Sequence, residues 1–151
     1  MPKGTYLSIA FSFQTIGLNL QIMPLITVLL LSVAPVCVTA NIMLANNICD
    51  IENDILVKRY TLPYYLGNRK ALHLFAGLYY LTYLATIIMV ILRILSPVCL
   101  LSLLTVFFVQ KNLNQFIKKQ DKATTFILAV KNFVIIMATN SLLIFVSGLF
   151  H

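Results

Sequence analysis

Residues 46–54 read NNICDIEND. On a continuing helix Asn46, Asp50 and Asp54 stand at i, i+4 and i+8, so they form one polar stripe along one face. Two carboxylates a turn apart repel, which a bound cation relieves. Two carboxylates with an amide one turn earlier suit a hard divalent ion. Mg²⁺ takes oxygen ligands, keeps several waters, and bridges one or two carboxylates to a substrate phosphate. Asn47 adjoins the stripe, and Lys58, Arg59, Arg69 and Lys70 follow it. Cations beside such a cluster suit a diphosphate, whose charge needs balancing from several sides. The plainer alternative is a solvated loop of acids and bases with no ligand. Nothing else in the chain competes as a chemical motif. There is no Gly-rich phosphate loop, nucleophile elbow or Cys/His metal cluster. Cys37, Cys49 and Cys99 are odd in number and form no CxxC. They read as small apolar packing residues rather than a disulfide framework or zinc site.

The elements that must position this stripe are membrane spans. Of 151 residues, 60% are hydrophobic and 10% charged, against about a quarter charged in a soluble domain. Mean hydropathy is +0.94. A water-soluble globule and a disordered chain are both excluded. Eleven Lys+Arg oppose four Asp+Glu. These cations sit in short stretches between apolar runs, so the implied partner is a lipid bilayer, with no nucleic acid.

Residues 4–49 hold no charge, a run long enough for two spans. The segment Gly17–Pro24 divides it, giving spans at about 5–22 and 24–46. The first carries Ser8, Ser12 and Gln14 and lacks a clean apolar core, so it reads as a retained span rather than a cleaved signal. Polar residues 47–69 form a loop. A third span covers 70–93, a fourth opens at Ser96-Pro97 and covers 96–112, and a fifth covers 124–149 after a loop at 111–123. The expectation is an all-α, polytopic membrane protein with about five transmembrane helices in a single domain, 1–151. With five spans, nine cations fall on the face that carries the acidic loop, and Arg93 falls opposite. The positive-inside rule makes the acidic loop cytoplasmic and the chain a multi-pass protein of the cell membrane.

Several other residues carry weaker signals. His73, near the start of the third span, reads as an interfacial His. Tyr79, Tyr80 and Tyr83 read as packing, with a cation-facing cavity wall as the alternative. Tyr64 and Tyr65 beside Pro63 read as an interfacial belt. Lys131 can snorkel to the surface. Asn140 and Ser141, mid-span, read as helix–helix hydrogen-bonding groups. Asp121 reads as a loop charge or a helix cap.

The stretch NNICDIENDILVKRYTLPYYLG, residues 46–67, resembles the second aspartate-rich motif of the UbiA-type membrane prenyltransferases. More narrowly, it is similar to the MenA-like branch, which prenylates 1,4-dihydroxy-2-naphthoate for menaquinone. That branch reads N-N-x-R-D-x-x-x-D, then Gly-Lys, then T-L and a Gly. Asn46, Asn47, Asp50, Asp54, Thr61, Leu62 and Gly67 match in type and spacing. Cys49 replaces an Arg, and Lys58-Arg59 replaces Gly-Lys.

The resemblance implies a nine-helix fold enclosing a cavity, with this chain equivalent to helices five to nine, the C-terminal half. It implies Mg²⁺ held by Asp50 and Asp54, a polyprenyl diphosphate contacted by Asn46, Asn47, Lys58 and Arg59, and an aromatic acceptor. The first aspartate-rich motif is absent, since every acid except Asp121 lies in the one loop. The expectation is therefore a half enzyme, inactive alone. It would be completed by a separate N-terminal half chain, or be the remnant of a truncated gene, with self-pairing ranked last. Two rivals are weighed. The membrane CDP-alcohol phosphotransferases also use D-x-x-x-D, but their preceding D-G and A-R are missing. A non-catalytic helical membrane subunit would use the loop as a surface anchor.

Overall fold

The computed structural model describes residues 22–149, and their regular structure is entirely helical. In chain order, α1 spans Ile22–Cys49, α2 Ile51–Leu56, α3 Leu62–Leu66 and α4 Asn68–Ile91. A 3-10 helix, Pro97–Thr105, then runs directly into α5, Val106–Lys118, and α6 spans Phe126–Leu149. Among the described residues, four stretches are long and apolar enough to cross a membrane: Pro24–Cys49, Asn68–Ile91, Pro97–Lys118 and Phe126–Gly148. The expected span at 5–22 lies outside the described residues.

Two boundaries differ from the sequence expectation. The polar letters after 110 suggested a loop at 111–123, yet α5 continues to Lys118 and the connection to α6 is 119–125. Val109, Leu113 and Phe116 explain this. They are all buried, and their i, i+4, i+7 spacing gives α5 one apolar face while Lys111, Asn114 and Lys118 stay exposed on the other. The expected loop at 47–69 is also partly helical, through the end of α1, α2 and α3.

The most enclosed helix is α4, which packs against α1, α3 and the 3-10 helix. Lipid tails are as apolar as leucine, so association in a bilayer rests on close packing and hydrogen bonds. Both are present. Ala34, Ala45, Ala71, Ala85 and Ala129 are buried, letting backbones approach. Phe75 meets Tyr79 edge-on at 5.2 Å and Phe116 at 4.7 Å between ring centres. The Asn41 amide donates to the Phe75 carbonyl at 3.0 Å, tying α1 to α4. Asn112 donates to Asn132 at 2.7 Å, tying α5 to α6. The Tyr83 hydroxyl meets Thr105 at 2.9 Å and ties α4 to the 3-10 helix. Tyr80 donates to Gln110 at 2.6 Å. Large apolar side chains such as Leu29, Val36, Met43, Phe107 and Phe145 face outward, as lipid contact requires.

One tyrosine in this core is not satisfied. The Tyr79 hydroxyl faces the Asn132 and Asn41 amides without hydrogen-bond geometry to either, and it is buried. An unpartnered buried hydroxyl costs about 1–3 kcal/mol. Tyr79→Phe keeps the ring contacts and removes that cost. It is expected to raise stability by about 1 kcal/mol, read as a higher midpoint of thermal unfolding in detergent. A lower midpoint would show that the hydroxyl is in fact bonded.

Candidate diphosphate and metal site

The acidic stripe survives a bend. Helix α1 ends at Cys49 and Asp50 takes φ −100°, ψ 4°, outside the helical range. The helical hydrogen bonds nevertheless run through. The Asp50 N–H donates to the Asn46 carbonyl at 3.0 Å and the Asp54 N–H to the Asp50 carbonyl at 2.8 Å. Asn46, Asp50 and Asp54 therefore stay on consecutive turns of one face. Asp54 is buried and the Asp50 side chain is only 14% exposed, whereas Glu52 and Asn53 face out. Asn46 and Asn47 are half-buried at the last turn of α1.

A tight reversal ends α2. Lys58 adopts φ +58°; its N–H donates to Ile55 at 3.0 Å, and the Arg59 N–H donates back to Asp54 at 2.7 Å. This is the Schellman pattern, with Lys58 in the left-handed position that usually falls to Gly. The reversal folds Arg59 back over the helix, bringing its Nη1 to 4.0 Å from Asp54 Oδ1. A left-handed residue with a Cβ costs about 1–2 kcal/mol. Lys58→Gly is therefore expected to stabilise the protein by about 1 kcal/mol, measured as a rise in unfolding midpoint. An unchanged or lower midpoint would mean that the lysine side chain contributes packing that offsets the strain.

Asp50 is paired differently, with Lys122, 72 positions later in the chain. The turn that presents Lys122 is built by Asp121. Its carboxylate accepts from the Ala123 N–H at 3.0 Å, from the Thr124 hydroxyl at 2.8 Å, and from Lys119 Nζ at 3.1 Å. These bonds hold the Asp121 carboxyl at about 2, the Thr124 hydroxyl contributing most. A depressed pKa contributes stability above the ordinary carboxylate range and loses it only as pH falls towards about 2. The turn is thus fixed throughout the physiological range. Asp121 was expected to be a loop charge or cap, and it organises the turn before α6.

The third segment at this end is 60–70. Thr61 precedes α3, and Gly67, at φ +76° and ψ 152°, separates α3 from α4. Asn68 reaches Gln120 at 3.4 Å, while Gln120 also donates to the Phe116 and Ile117 carbonyls at the end of α5. Arg69 and Lys70 are exposed in the first turn of α4, and His73 is exposed one turn on. Tyr64 meets Tyr60 at a tilt and Tyr65 edge-on, with ring centres 4.8 and 5.3 Å apart. All three are exposed.

One end of the bundle thus gathers Asp50 and Asp54 with Lys122 and Arg59, and the adjoining segments bring Lys58, Arg69, Lys70 and Lys119. No group of three or more His, Cys, Asp or Glu side chains capable of holding a metal occurs among the described residues. Two inward carboxylates still fit one Mg²⁺, which fills its remaining positions with water and phosphate oxygens. Their present partners are long, mobile side chains whose charged ends lie largely in solvent, 54% exposed for Lys122 and 67% for Arg59, while the carboxylates themselves are enclosed. Such partners can be displaced.

The sequence signature of the UbiA prenyltransferase family matches residues 5–147. The chain belongs to the UbiA prenyltransferase family. Comparison with curated proteins and with solved structures gives no match. UbiA membership implies prenyltransferase chemistry, with prenyl diphosphate and aromatic substrates, typically Mg²⁺, and a bilayer around the multi-pass helices.

A cavity of about 320 Å³ lies elsewhere, between α1, α4 and α6. Leu31, Pro35, Met89 and Met137 line it together with Asn140 and Ser141, which were expected to bond between helices. It sits fifteen or more residues along α1 from Asp50, about 22 Å at helical rise. Lys122 is the site residue that sequence reading missed. The only signal for it was the run of cations at 118–122.

Proposed function

We propose that the chain contributes the second aspartate-rich half of a Mg²⁺-dependent polyprenyl transfer site, with 1,4-dihydroxy-2-naphthoate or a close relative as acceptor. The observation that carries this reading is the inward pair Asp50–Asp54, one turn apart and neutralised only by displaceable cations, in a chain of the UbiA family. Asp50 and Asp54 hold the metal, directly or through water. Asn46 and Asn47 donate to diphosphate oxygens, and Lys58 and Arg59 balance their charge. Mg²⁺, when bound, stabilises the diphosphate as it leaves the allylic carbon. The apolar interior suits the prenyl tail, at about 0.8 kcal/mol for each buried CH₂.

Two carboxylates are too few for the whole diphosphate–metal cluster. A second acidic motif, from another polypeptide segment, completes it. The acid-bearing end faces the cytoplasm, by the charge bias along the chain. The test is transfer from a polyprenyl diphosphate to dihydroxynaphthoate in membranes holding this chain together with a first-motif half of a UbiA enzyme. Mg²⁺-dependent product that requires both parts supports the reading. The absence of product with every first-motif partner and acceptor tried would favour a non-catalytic helical subunit.

A further inference from the structure

Within the site just proposed, the pairing of Asp50 with a lysine from a distant turn has a use of its own. Lys122 extends from the 119–125 turn across to Asp50, and the Asp121 hydrogen bonds give that turn a fixed shape. The Lys122 side chain is about half exposed, so the pair sits at the edge of the site rather than sealed within it. Its partner atom, Asp50 Oδ2, is one that a divalent ion would need. An ammonium and a divalent ion cannot both occupy that position, and the ion, with twice the charge, displaces the ammonium.

The freed Lys122 then remains tethered a few ångströms away, on the rim where an anion arriving with the metal carries its excess charge. We propose that Lys122 guards Asp50 in the empty site and, when a divalent ion takes its place, swings onto the diphosphate as an additional binding residue. This rests on the function proposed above. It brings the 119–125 turn, to which the motif assigns nothing, into the binding site. Lysine suits the task because its flexible stem and point charge can serve two positions in turn.

The experiment uses the full chain in lipid nanodiscs and needs no turnover. Mn²⁺ binding is followed by electron paramagnetic resonance, and inorganic pyrophosphate binding in the presence of Mn²⁺ by calorimetry. Three variants, Lys122→Met, Lys122→Arg and Lys118→Met, are compared with the wild type. Lys122→Met removes the competitor and is expected to tighten Mn²⁺ binding roughly 3- to 10-fold while weakening pyrophosphate about 10-fold, the size expected for one charged hydrogen bond. Lys122→Arg keeps pyrophosphate binding, and Lys118→Met, on the exposed end of α5, changes neither. Unchanged pyrophosphate affinity in Lys122→Met overturns the proposal. So does weaker Mn²⁺ binding in that variant, which would make the ion pair a support of the fold. If the wild type binds Mn²⁺ no better than Asp50→Asn does, the metal-site reading itself fails, and this inference with it.

Discussion

Asp50→Asn or Asp54→Asn should lower prenyl transfer on the order of 10²–10³-fold in the reconstituted system, the scale seen when one preorganised electrostatic contact to a transition state is lost. Asparagine preserves the shape and hydrogen bonding of the stripe and removes the negative charge that a metal requires. The important comparison is with stability. Each carboxylate loses one ion pair on substitution, Asp50 with Lys122 and Asp54 with Arg59, and in each pair the cation is more than half exposed. With the carboxylates enclosed but the cations in solvent, each pair contributes on the order of 1 kcal/mol, and asparagine leaves no unpaired charge behind. The unfolding midpoint should barely move while activity collapses, so loss of function cannot be put down to loss of fold. Activity within threefold of wild type in both variants would remove the carboxylates from the mechanism.

Gly67→Ala is the substitution expected to damage the fold most for its size. A Cβ at this position meets nothing within 4 Å, so crowding is not the issue. The cost lies in the backbone, because φ +76° with ψ 152° is a region essentially reserved for glycine. The estimate is about 1–3 kcal/mol, read as a lower unfolding midpoint. Gly67→Asn should cost about as much. Asparagine tolerates the left-handed helical region, but this ψ lies outside it. At position 58, by contrast, asparagine should be accepted. Equal midpoints for wild type and Gly67→Ala would show that the α3–α4 junction relaxes into another shape. Because Gly67 sets the direction in which α4 starts, the same variant should also disturb the placement of Arg69 and Lys70.

Much of this was legible in the sequence because apolar runs free of charge announce their own length. The acid stripe was legible because helical periodicity needs only local spacing, and the bend at Asp50 keeps the helical hydrogen bonds. Two things were hidden. The second half of α5 is spelled mostly in polar letters, and only the buried Leu113 and Phe116, in register with Val109, reveal it as helix. The Lys122–Asp50 pair joins positions 72 apart, and no local pattern encodes such a meeting. The buried amides Asn41 and Asn132 were likewise anonymous in the sequence, since a lone polar residue in an apolar run does not say which neighbour it will find.

The ends of α4 fix its depth. Arg69 and Lys70 stand in its first turn, and Arg93, at φ +57° just past its last turn, closes the other end with the same carbonyl-capping reversal as α2. The 24 residues of the helix measure about 36 Å, slightly more than the oily layer they must traverse. If this helix slipped by one turn in either direction, a guanidinium or ammonium would be drawn towards hydrocarbon, at a cost that grows with depth to about 2.5–3.5 kcal/mol at the bilayer centre. The column is bolted at both water lines. Helix α1, which ends at the carboxylate pair, packs along it, so the height of that pair relative to the lipid headgroups is set by α4, a helix that contributes neither acid.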